Sequence, residues 1–342
     1  MLKRNVFVIA TEYQFLVSLS IIDERFSAKE WINDIIATGP RSSHILQDRI
    51  PANIRFSFFP DHEASWKDYL LREVYSSPLE NLFVVHSYRA PELAFLYYAP
   101  ANVRRHLIQD GALFYHQIEK NLFPSRTRQT FEFYKKLFQH NVFLTRFLPY
   151  GRYEEKSPLI DEIWLTNPEI YRLPGLAKKK NVFTLFPRSD SKTVYASYFK
   201  DSQDLDVEKL AHALIYLAPK IADEKVFPKE LEVLEKIIHH FSLKNIFIKL
   251  HPLEVGSKHA VFLKQRFGDS VIANYTPADV YIANARNTVI VASMSTSLLN
   301  NNPSCRYFAL RKYYQKIGLY EPWKNVTMPG HVRMLEDINE LS

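Results

Sequence analysis

The sequence has a single cysteine and only eight glycines in 342 residues. Cys305 has no partner for an internal disulfide, and one thiol excludes a zinc site built from cysteines. No apolar stretch approaches the roughly 18 residues that a membrane-spanning helix needs. The apolar run from Val6 to Ala10 is too short for a signal peptide, and Glu12 interrupts its continuation. Together these absences predict a cytoplasmic protein.

Several motifs that bind nucleotides or metals are also missing. The chain contains no Walker-type loop and no Gly-x-Gly-x-x-Gly fingerprint, which argues against kinases, ATPases and dinucleotide-dependent enzymes. It has no Gly-x-Ser-x-Gly nucleophile elbow. The histidines, including His239 and His240, lack the spacing of metal ligands. We therefore expect a protein with no resident cofactor and no metal.

Basic residues exceed acidic ones, 44 Lys and Arg against 37 Asp and Glu, for a formal net charge of +7. This excess suits an anionic partner such as a phosphate, an acidic sugar, a nucleic acid or the inner membrane surface. A solvated basic surface without a partner predicts the same composition. A basic and aromatic stretch near residue 130 could bind nucleic acid, but we favour a helix with one apolar face. The stretch contains Arg126, Arg128, Phe131, Phe133, Tyr134, Lys135 and Lys136.

Strand-like and helix-like segments alternate in both halves of the chain, which predicts an α/β protein with parallel sheets covered by helices. The length favours two domains. A proline-bearing segment that ends in Lys178-Lys179-Lys180 predicts the linker, so we place the domains at residues 1–175 and 176–342. Strands are predicted at 6–10, 54–59, 81–86, 103–109, 160–165, 181–186, 245–250, 271–273, 288–292 and 306–310. Helices are predicted at 14–26, 66–75, 91–98, 206–218, 229–241 and 258–267, with a helical hairpin at 117–150 and a further helix opening at Thr276.

Two polar motifs follow predicted strands in the first half. In Gln109-Asp110-Gly111 the aspartate stands just past a buried strand, where its carboxylate can act as a general base. Asp-Gly is also a common turn pair. Thr11 and Gln14 lie between the first strand and its helix, and we expect their polar atoms to face a ligand-binding cleft; a helix cap explains them equally well.

Two motifs in the second half predict a phosphate site. His251 follows the strand at 245–250, where an imidazole can donate to a phosphate or protonate a leaving oxygen. Pro252 stiffens this turn and biases His251 toward an extended backbone. A turn with four hydroxyls follows the strand at 288–292, and hydroxyls at a helix N-terminus favour a phosphate. A structural histidine and simple helix capping are the alternatives. The four hydroxyl residues are Ser293, Ser295, Thr296 and Ser297.

These four motifs, Thr11-x-x-Gln14, Asp-Gly, His-Pro and the serine turn, occur in that order along the chain. In this respect the chain resembles the bacterial sialyltransferases of the GT-B type, particularly the lipooligosaccharide sialyltransferase and capsule polysialyltransferase families. The resemblance spans nearly the whole chain through short, loosely spaced motifs. It implies two Rossmann-like domains that face each other across a cleft, the first binding acceptor and the second nucleotide. A last helix, about 313–342, is expected to cross back to the first domain.

The resemblance also implies a reaction: the inverting, metal-independent transfer of sialic acid from CMP-sialic acid to a glycan hydroxyl in surface polysaccharide or lipooligosaccharide. Asp110 would deprotonate the acceptor, and His251 would stabilise or protonate the departing CMP phosphate. Pro252 and the serine turn would hold the same phosphate. The acceptor side would be lined by Thr11, Gln14, Gln109 and Gly111.

One position departs from the family pattern, which has two acidic residues before the glycine, whereas this chain has Gln109 at the first. Three alternatives therefore stay open. The same fold could use CMP-Kdo or a UDP-sugar as donor. The chain could be a catalytically silent glycan-binding subunit, which Gln109 favours. The third is nucleic-acid binding through the stretch near residue 130. It is the least favoured of the three, and our preferred interpretation expects no nucleic-acid partner. A glycan-building enzyme would work at the cytoplasmic face, peripheral on anionic inner-membrane lipid.

Overall fold

The computed structural model contains two compact units, Met1–Pro187 and Arg188–Ser342. The residues that the structure describes are 2–38, 40–59, 69, 74–75, 77–86, 90–110, 130–131, 134–135, 138, 157–171, 180–185, 195–202, 206–221, 223–293, 295–319 and 327–341. The helices predicted at 66–75 and 117–150, including the basic aromatic stretch, lie largely outside these residues.

The first unit is built on a sheet of seven parallel strands in the order β3-β2-β1-β4-β5-β6-β7. Its interior strand β1 has four consecutive side chains, residues 6–9, that are fully buried, because helices cover both faces of a parallel sheet. The strands are β1 (Lys3–Ile9), β2 (Trp31–Ala37), β3 (Ile54–Phe58), β4 (Asn81–Val84), β5 (Arg104–Ile108), β6 (Glu162–Leu165) and β7 (Asn181–Thr184). Helices α1 (Glu12–Arg25) and α2 (Ala90–Tyr98) connect them.

The second unit has six parallel strands in the order β10-β9-β8-β11-β12-β13. The strands are β8 (Ala213–Leu217), β9 (Asn245–Lys249), β10 (Val271–Ile272), β11 (Val289–Ala292), β12 (Arg306–Ala309) and β13 (Val332–Met334). The α-helices are α3 (Phe227–Phe241), α4 (Lys258–Phe267), α5 (Ala278–Asn284) and α6 (Arg311–Lys316). The α/β prediction with two parallel sheets is confirmed.

The helix predicted at 206–218 is wrong. Its second half is β8, a central strand with all five side chains buried. His212, just before it, has a φ of 55°, which stops any helix that would run through this segment. A short apolar run of this kind fits a buried strand or a buried helix equally well, so periodicity alone does not separate them.

Three further predictions are corrected. The domain boundary falls at 187/188 rather than 175/176, because β7 pairs with β6 and so completes the first sheet. The segment 313–342 does not form one helix: its described residues include strand β13, which pairs with β12 of the second sheet. Leu335 and Leu341 belong to that unit's apolar core. Finally, the helix predicted to open at Thr276 begins at Ala278, with Pro277 as its N-cap.

In both sheets the strand order reverses beside the first strand of the unit. Strands β2 and β3 lie on one side of β1, and β4 begins the other side. In the second sheet β9 and β10 lie on one side of β8, and β11 begins the other. Ligands of open parallel sheets bind outside the carboxyl ends of the strands at such a switch point. The fold therefore predicts one ligand-binding edge in each unit, at the carboxyl ends of the strands beside the switch point. We call each of these a candidate edge.

Candidate active site

At the candidate edge of the first unit, the carboxylate of Asp110 contacts side chains from two other elements. Nε2 of Gln14 donates to Oδ1 of Asp110 at 3.1 Å. Oδ2 of Asp110 lies 3.0 Å from Nε2 of His86. Asp110 follows β5, His86 follows β4, and Gln14 lies in the first turn of α1. Both oxygens of this carboxylate are thus oriented beside the switch point between β1 and β4.

Thr11 and Gln14 fix the start of α1. The Thr11 hydroxyl accepts from the Gln14 backbone amide at 3.3 Å, which makes Thr11 the N-cap. Oε1 of Gln14 accepts from the amide of Ala10 at 2.6 Å, so its Nε2 is turned toward Asp110. Thr11 therefore caps the helix, and Gln14 connects that cap to the candidate base. Gly111 lies outside the described residues.

His86 is a site residue that the sequence analysis missed. It follows the apolar run of β4 as Asp110 follows β5, and the two strands are neighbours in the sheet. That repeated pattern of a polar residue after a buried strand was the available signal. The side chain of Asp110 is 28% exposed and that of His86 only 10%. Asp110 is consequently the member of the pair that is more open to a substrate.

Gln109 is buried inside the first unit. Its side chain is fully buried, and its Oε1 accepts from the amide of Thr166 at 2.8 Å. The backbone amide of Gln109 donates to the Trp164 carbonyl at 3.0 Å, which extends the pairing of β5 with β6. Of the described residues of this motif, Gln109 is buried and Asp110 is the more exposed, so the assignment of Gln109 to the acceptor side stays a prediction.

In the second unit, His251 caps a tight turn just past β9. Its ring Nδ1 accepts from the amide of Leu253 at 3.1 Å, and its carbonyl accepts from the amide of Glu254 at 2.8 Å. The backbone of His251 is extended, with φ −59° and ψ 139°, as the following proline predicts. Since Nδ1 is an acceptor, the neutral ring carries its proton on Nε2. The exposed side chain is thus arranged as a hydrogen-bond donor.

The serine turn after β11 has a different structure from the one predicted. It is a 3₁₀ turn of four residues, Thr296–Leu299, too short to carry the dipole of an α-helix. Ser295 caps it by accepting from the amide of Ser297 at 3.3 Å. Ser293 is fully buried, and its hydroxyl has no hydrogen-bond partner among the described residues. The half-buried Ser295 and Thr296 are the hydroxyls best able to reach a ligand.

Ser297 is held by Asp279, a second residue that the sequence analysis did not assign to the site. The Ser297 hydroxyl donates to Oδ2 of Asp279 at 2.7 Å, and Nδ2 of Asn300 donates to Oδ1 of the same carboxylate. Asp279 is buried in the first turn of α5. Because its hydroxyl proton is given to Asp279, Ser297 helps to fix the turn, and its contact with a phosphate stays a prediction.

The turns of His251 and Ser295 lie at the same edge of the second sheet, on strands β9 and β11 that flank β8. Adjacent strands are about 4.8 Å apart, so the two turns start roughly 10 Å from each other, enough for a phosphate-sized group. The exposed Lys220, which sequence analysis also missed, closely follows β8 between them. Lys249 adds a buried positive charge two residues before His251; its Nζ donates to the carbonyl of Asn274 at 2.7 Å. This edge therefore combines donors and positive charge.

Within the described part of the chain, no three His, Cys, Asp or Glu side chains are grouped as metal ligands. In the same residues we find no helix of the length and apolar character that crossing a membrane requires.

Two Rossmann-like α/β units in one chain define the GT-B fold, and comparison with solved structures supports this assignment. The GT-B domain of a sialyltransferase from Photobacterium damselae matches with a TM-score of 0.51 and 11% identity, over 98% of this chain and 100% of that one. The wall teichoic acid polymerase TagF matches with a TM-score of 0.51 and 10% identity, over 97% and 76%. A UDP-GlcNAc 2-epimerase from Methanocaldococcus jannaschii matches with a TM-score of 0.52 and 11% identity, over 99% and 90%.

At such identities these likenesses establish the fold and nothing finer. No protein family profile matches the sequence, and no curated protein is similar to it.

Proposed function

We propose that this protein is an inverting glycosyltransferase that moves sialic acid from CMP-sialic acid to a glycan hydroxyl. In this proposal the second unit binds the nucleotide and the first unit binds the acceptor. The observation that carries it is the His251 turn: an exposed imidazole with its proton on Nε2 stands at the carboxyl edge of β9. It shares that edge with the hydroxyls of Ser295 and Thr296. Hydrogen-bond donors at this position suit the phosphate of a nucleoside monophosphate.

The donor side of the reaction follows from the tautomer of His251. A neutral ring that accepts at Nδ1 can donate a hydrogen bond from Nε2, but losing that proton would leave an imidazolate. We therefore assign His251 to stabilising the phosphate oxygens as CMP departs, rather than to protonating them. Preorganised donors of this kind stabilise charge that develops in the transition state. A departing monophosphate carries less negative charge than a departing diphosphate, so fewer hydrogen-bond donors are needed to stabilise it. This agrees with a reaction that needs no metal.

On the acceptor side, Asp110 takes the proton of the attacking hydroxyl. The new bond forms between that oxygen and the anomeric carbon, while the bond from this carbon to the CMP phosphate breaks with inversion. Gln14 holds one oxygen of Asp110 by a hydrogen bond, and Nε2 of His86 lies 3.0 Å from the other. A positioned carboxylate of this kind typically contributes a factor of about 10²–10⁴ to the rate.

The burial of Gln109 bears on the alternative of a silent subunit. Gln109 favoured that alternative because the resembling families carry an acidic residue there. Its side chain is fully buried and bonded to Thr166, so position 109 is not where an accessible base would stand in this chain. Asp110 is the accessible carboxylate of the motif, and an active enzyme remains the better proposal.

A UDP-sugar enzyme is the competing proposal, because enzymes of this fold include one whose substrate is UDP-GlcNAc. The fold suits either nucleotide. Isothermal titration with CMP, CDP, UDP and UMP separates the two, since our proposal requires CMP to bind best. Transfer from CMP-sialic acid to an oligosaccharide acceptor then tests catalysis directly. Tightest binding of a uridine nucleotide, with no turnover of CMP-sialic acid, would reject the sialyltransferase proposal.

We further propose that the protein works at the cytoplasmic face of the inner membrane as a peripheral protein. The net charge of +7 supports attraction to anionic lipid. Sedimentation with two kinds of vesicle tests this, one of anionic phosphatidylglycerol and one of zwitterionic phosphatidylcholine. Binding to the anionic vesicles alone, lost at high salt, is the expected result, and equal recovery with both vesicle types would contradict it.

A further inference from the structure

A buried cluster of ionisable side chains lies behind the His251 turn. At its centre is His259 of α4, whose side chain is fully buried. Nε2 of His259 lies 2.5 Å from Oε2 of Glu230 in α3, and its Nδ1 lies 3.4 Å from Oε2 of Glu254. Glu254 ends the 3₁₀ turn that begins at Pro252. One imidazole is therefore hydrogen-bonded to one carboxylate and within ion-pair distance of a second, and the second belongs to the candidate donor-binding turn.

Among the described residues, aromatic side chains make the further contacts of this cluster. The Tyr216 hydroxyl of β8 donates to Oε1 of Glu230 at 3.0 Å and lies 2.5 Å from the hydroxyl of Tyr314 in α6. The ring of Phe227 stacks on His259 with centroids 4.8 Å apart. In the described part of the chain, the ionisable groups that contact the imidazole are Glu230 and Glu254, with the Tyr216 phenol behind Glu230.

A positive imidazole suits this arrangement, because buried carboxylates are stable only when a cation or hydrogen bonds compensate their charge. Burial by itself would lower the pKa of His259. The hydrogen bond to Glu230 and the negative charges of Glu230 and Glu254 outweigh burial and raise that pKa above its usual range. The ring of His259 therefore stays protonated to a higher pH than a free histidine does.

The contacts of Glu254 connect this imidazole to His251. Its Oε2 lies 3.4 Å from Nδ1 of His259 and accepts from the Ser257 hydroxyl at 2.9 Å. Its backbone amide donates to the His251 carbonyl at 2.8 Å. In the same turn the Leu253 amide donates to Nδ1 of the His251 ring. Anchoring Glu254 therefore fixes the backbone that fixes the His251 ring.

We propose that His259 is a positioning residue for His251: its bridge from Glu230 to Glu254 holds the turn that keeps the His251 proton on Nε2. The identity of the ligand rests on the proposed function, whereas the effect on the His251 ring does not. The residue acts through Glu254 and the turn, since it is buried and separated from any ligand at the sheet edge.

The first test needs no ligand. In protein labelled with ¹⁵N-histidine, the ring nitrogens of His251, assigned by their loss in His251→Asn, report the tautomer. Wild type is expected to show a single tautomer with the proton on Nε2. In His259→Gln we expect an averaged mixture of both tautomers. An unchanged His251 spectrum in folded His259→Gln would overturn the proposal.

Glu254→Ala covers the case in which His259→Gln fails to fold. It leaves the ion pair between His259 and Glu230 intact and removes only the link to the turn. The matched control is Glu224→Ala, which removes an exposed glutamate whose carboxylate lies 2.6 Å from Nζ of Lys258 at the start of α4. Loss of the single tautomer in Glu254→Ala but not in Glu224→Ala supports the proposal. Loss in both, or in neither, contradicts it.

The second test measures CMP affinity from pH 6 to 9. We expect Glu254→Ala to weaken binding about tenfold, the scale of loss when a residue that orients a ligand-binding histidine is removed. The CMP affinity of wild type should fall as rising pH neutralises His259. The CMP affinity of Glu254→Ala should not show this fall. Full affinity and an unchanged pH profile in Glu254→Ala would reject the positioning role. If wild type does not bind CMP at all, the proposed function fails, and the tautomer measurement still decides the role of His259.

Discussion

Oδ2 of Asp110 lies 3.0 Å from Nε2 of His86, and the two residues follow neighbouring strands at one edge of the first sheet. The pair combines a carboxylate with an imidazole, so either group is chemically able to take a proton from an acceptor. The greater exposure of Asp110 favours it as the base and leaves His86 to orient it. The distinction can be tested by substitution.

Replacing Asp110 with asparagine is expected to lower the transfer rate by a factor of about 10²–10⁴, the usual contribution of a general base. His86→Asn should cost less, because Gln14 still holds the other carboxylate oxygen. Steady-state kinetics with CMP-sialic acid measures both, and Asp161→Asn, an exposed aspartate beside β6, serves as control. A larger rate loss in His86→Asn than in Asp110→Asn would make His86 the base.

The burial of Gln109 leads to a prediction about stability. Gln109→Glu restores the acidic residue of the resembling families but places a carboxylate where the Gln109 side chain is fully buried. We expect the free energy of unfolding to fall by at least about 2 kcal/mol, since an uncompensated buried charge is costly. Urea unfolding measures the change. The exposed Gln315→Glu is the matched control, and a gain of transfer activity without loss of stability would contradict the structural role of Gln109.

How well the sequence predicts a strand of this molecule depends on whether the strand contains a continuous apolar run. Strands β1, β4 and β11 contain such runs, at residues 6–9, 82–84 and 289–292, and were predicted. Strand β2 was missed because Asn33 and Asp34 interrupt it. Both are buried: Nδ2 of Asn5 donates to Oδ1 of Asn33 at 2.8 Å, and Asp34 pairs with Arg4. Partners that cancel the cost of burying these polar groups come from another strand, and a single segment does not reveal them.

The residues of the candidate sites likewise fall into those that local sequence patterns predict and those that they miss. Asp110, His251 and the serine turn were predicted because each is polar and follows a predicted strand. Gln109 fits that pattern too, and only the structure shows that its side chain is fully buried and bonded to Thr166. Asp279 was not assigned to the site, because its partners Ser297 and Asn300 lie about twenty residues away. Such long-range pairs arise from strand order, which local patterns do not encode.

Asp279 leads to a prediction about the serine turn. Asp279→Ala removes the acceptor of two buried hydrogen bonds, from Ser297 and Asn300. Bonds to a charged group are each worth about 1.5–3 kcal/mol, so thermal unfolding should shift clearly downward. If the turn binds a phosphate, CMP affinity should fall as well. The exposed Asp269→Ala is the control. Normal CMP affinity in folded Asp279→Ala would separate this turn from the nucleotide site.

His259 makes stability depend on pH in a defined direction. Its pKa is raised in the folded protein above the ordinary value of 6.5, so between these two values the folded state binds more protons than the unfolded state. The stabilisation is therefore complete below pH 6.5 and is lost as pH rises through the folded pKa. Urea unfolding from pH 6 to 9 should show this decline, and His259→Gln should remove it. The control is His240→Gln, which replaces an exposed histidine. If the free energy of unfolding changed equally with pH in wild type and in His259→Gln, the assignment to His259 would be contradicted.

Lys220 is expected to contribute long-range attraction for the nucleotide. It is exposed just after β8, the strand that lies between those ending at His251 and at the serine turn. Lys220→Ala should weaken CMP binding by about three- to tenfold at low salt and less at high salt, because counterions screen exposed charges. Lys244→Ala is the matched control, since this exposed lysine directly precedes β9 and so lies at the opposite edge of the same sheet. Titration of CMP at two ionic strengths compares them. Equal losses in the two variants would assign the effect to net charge, whereas a loss confined to Lys220→Ala places the phosphate at the carboxyl edge.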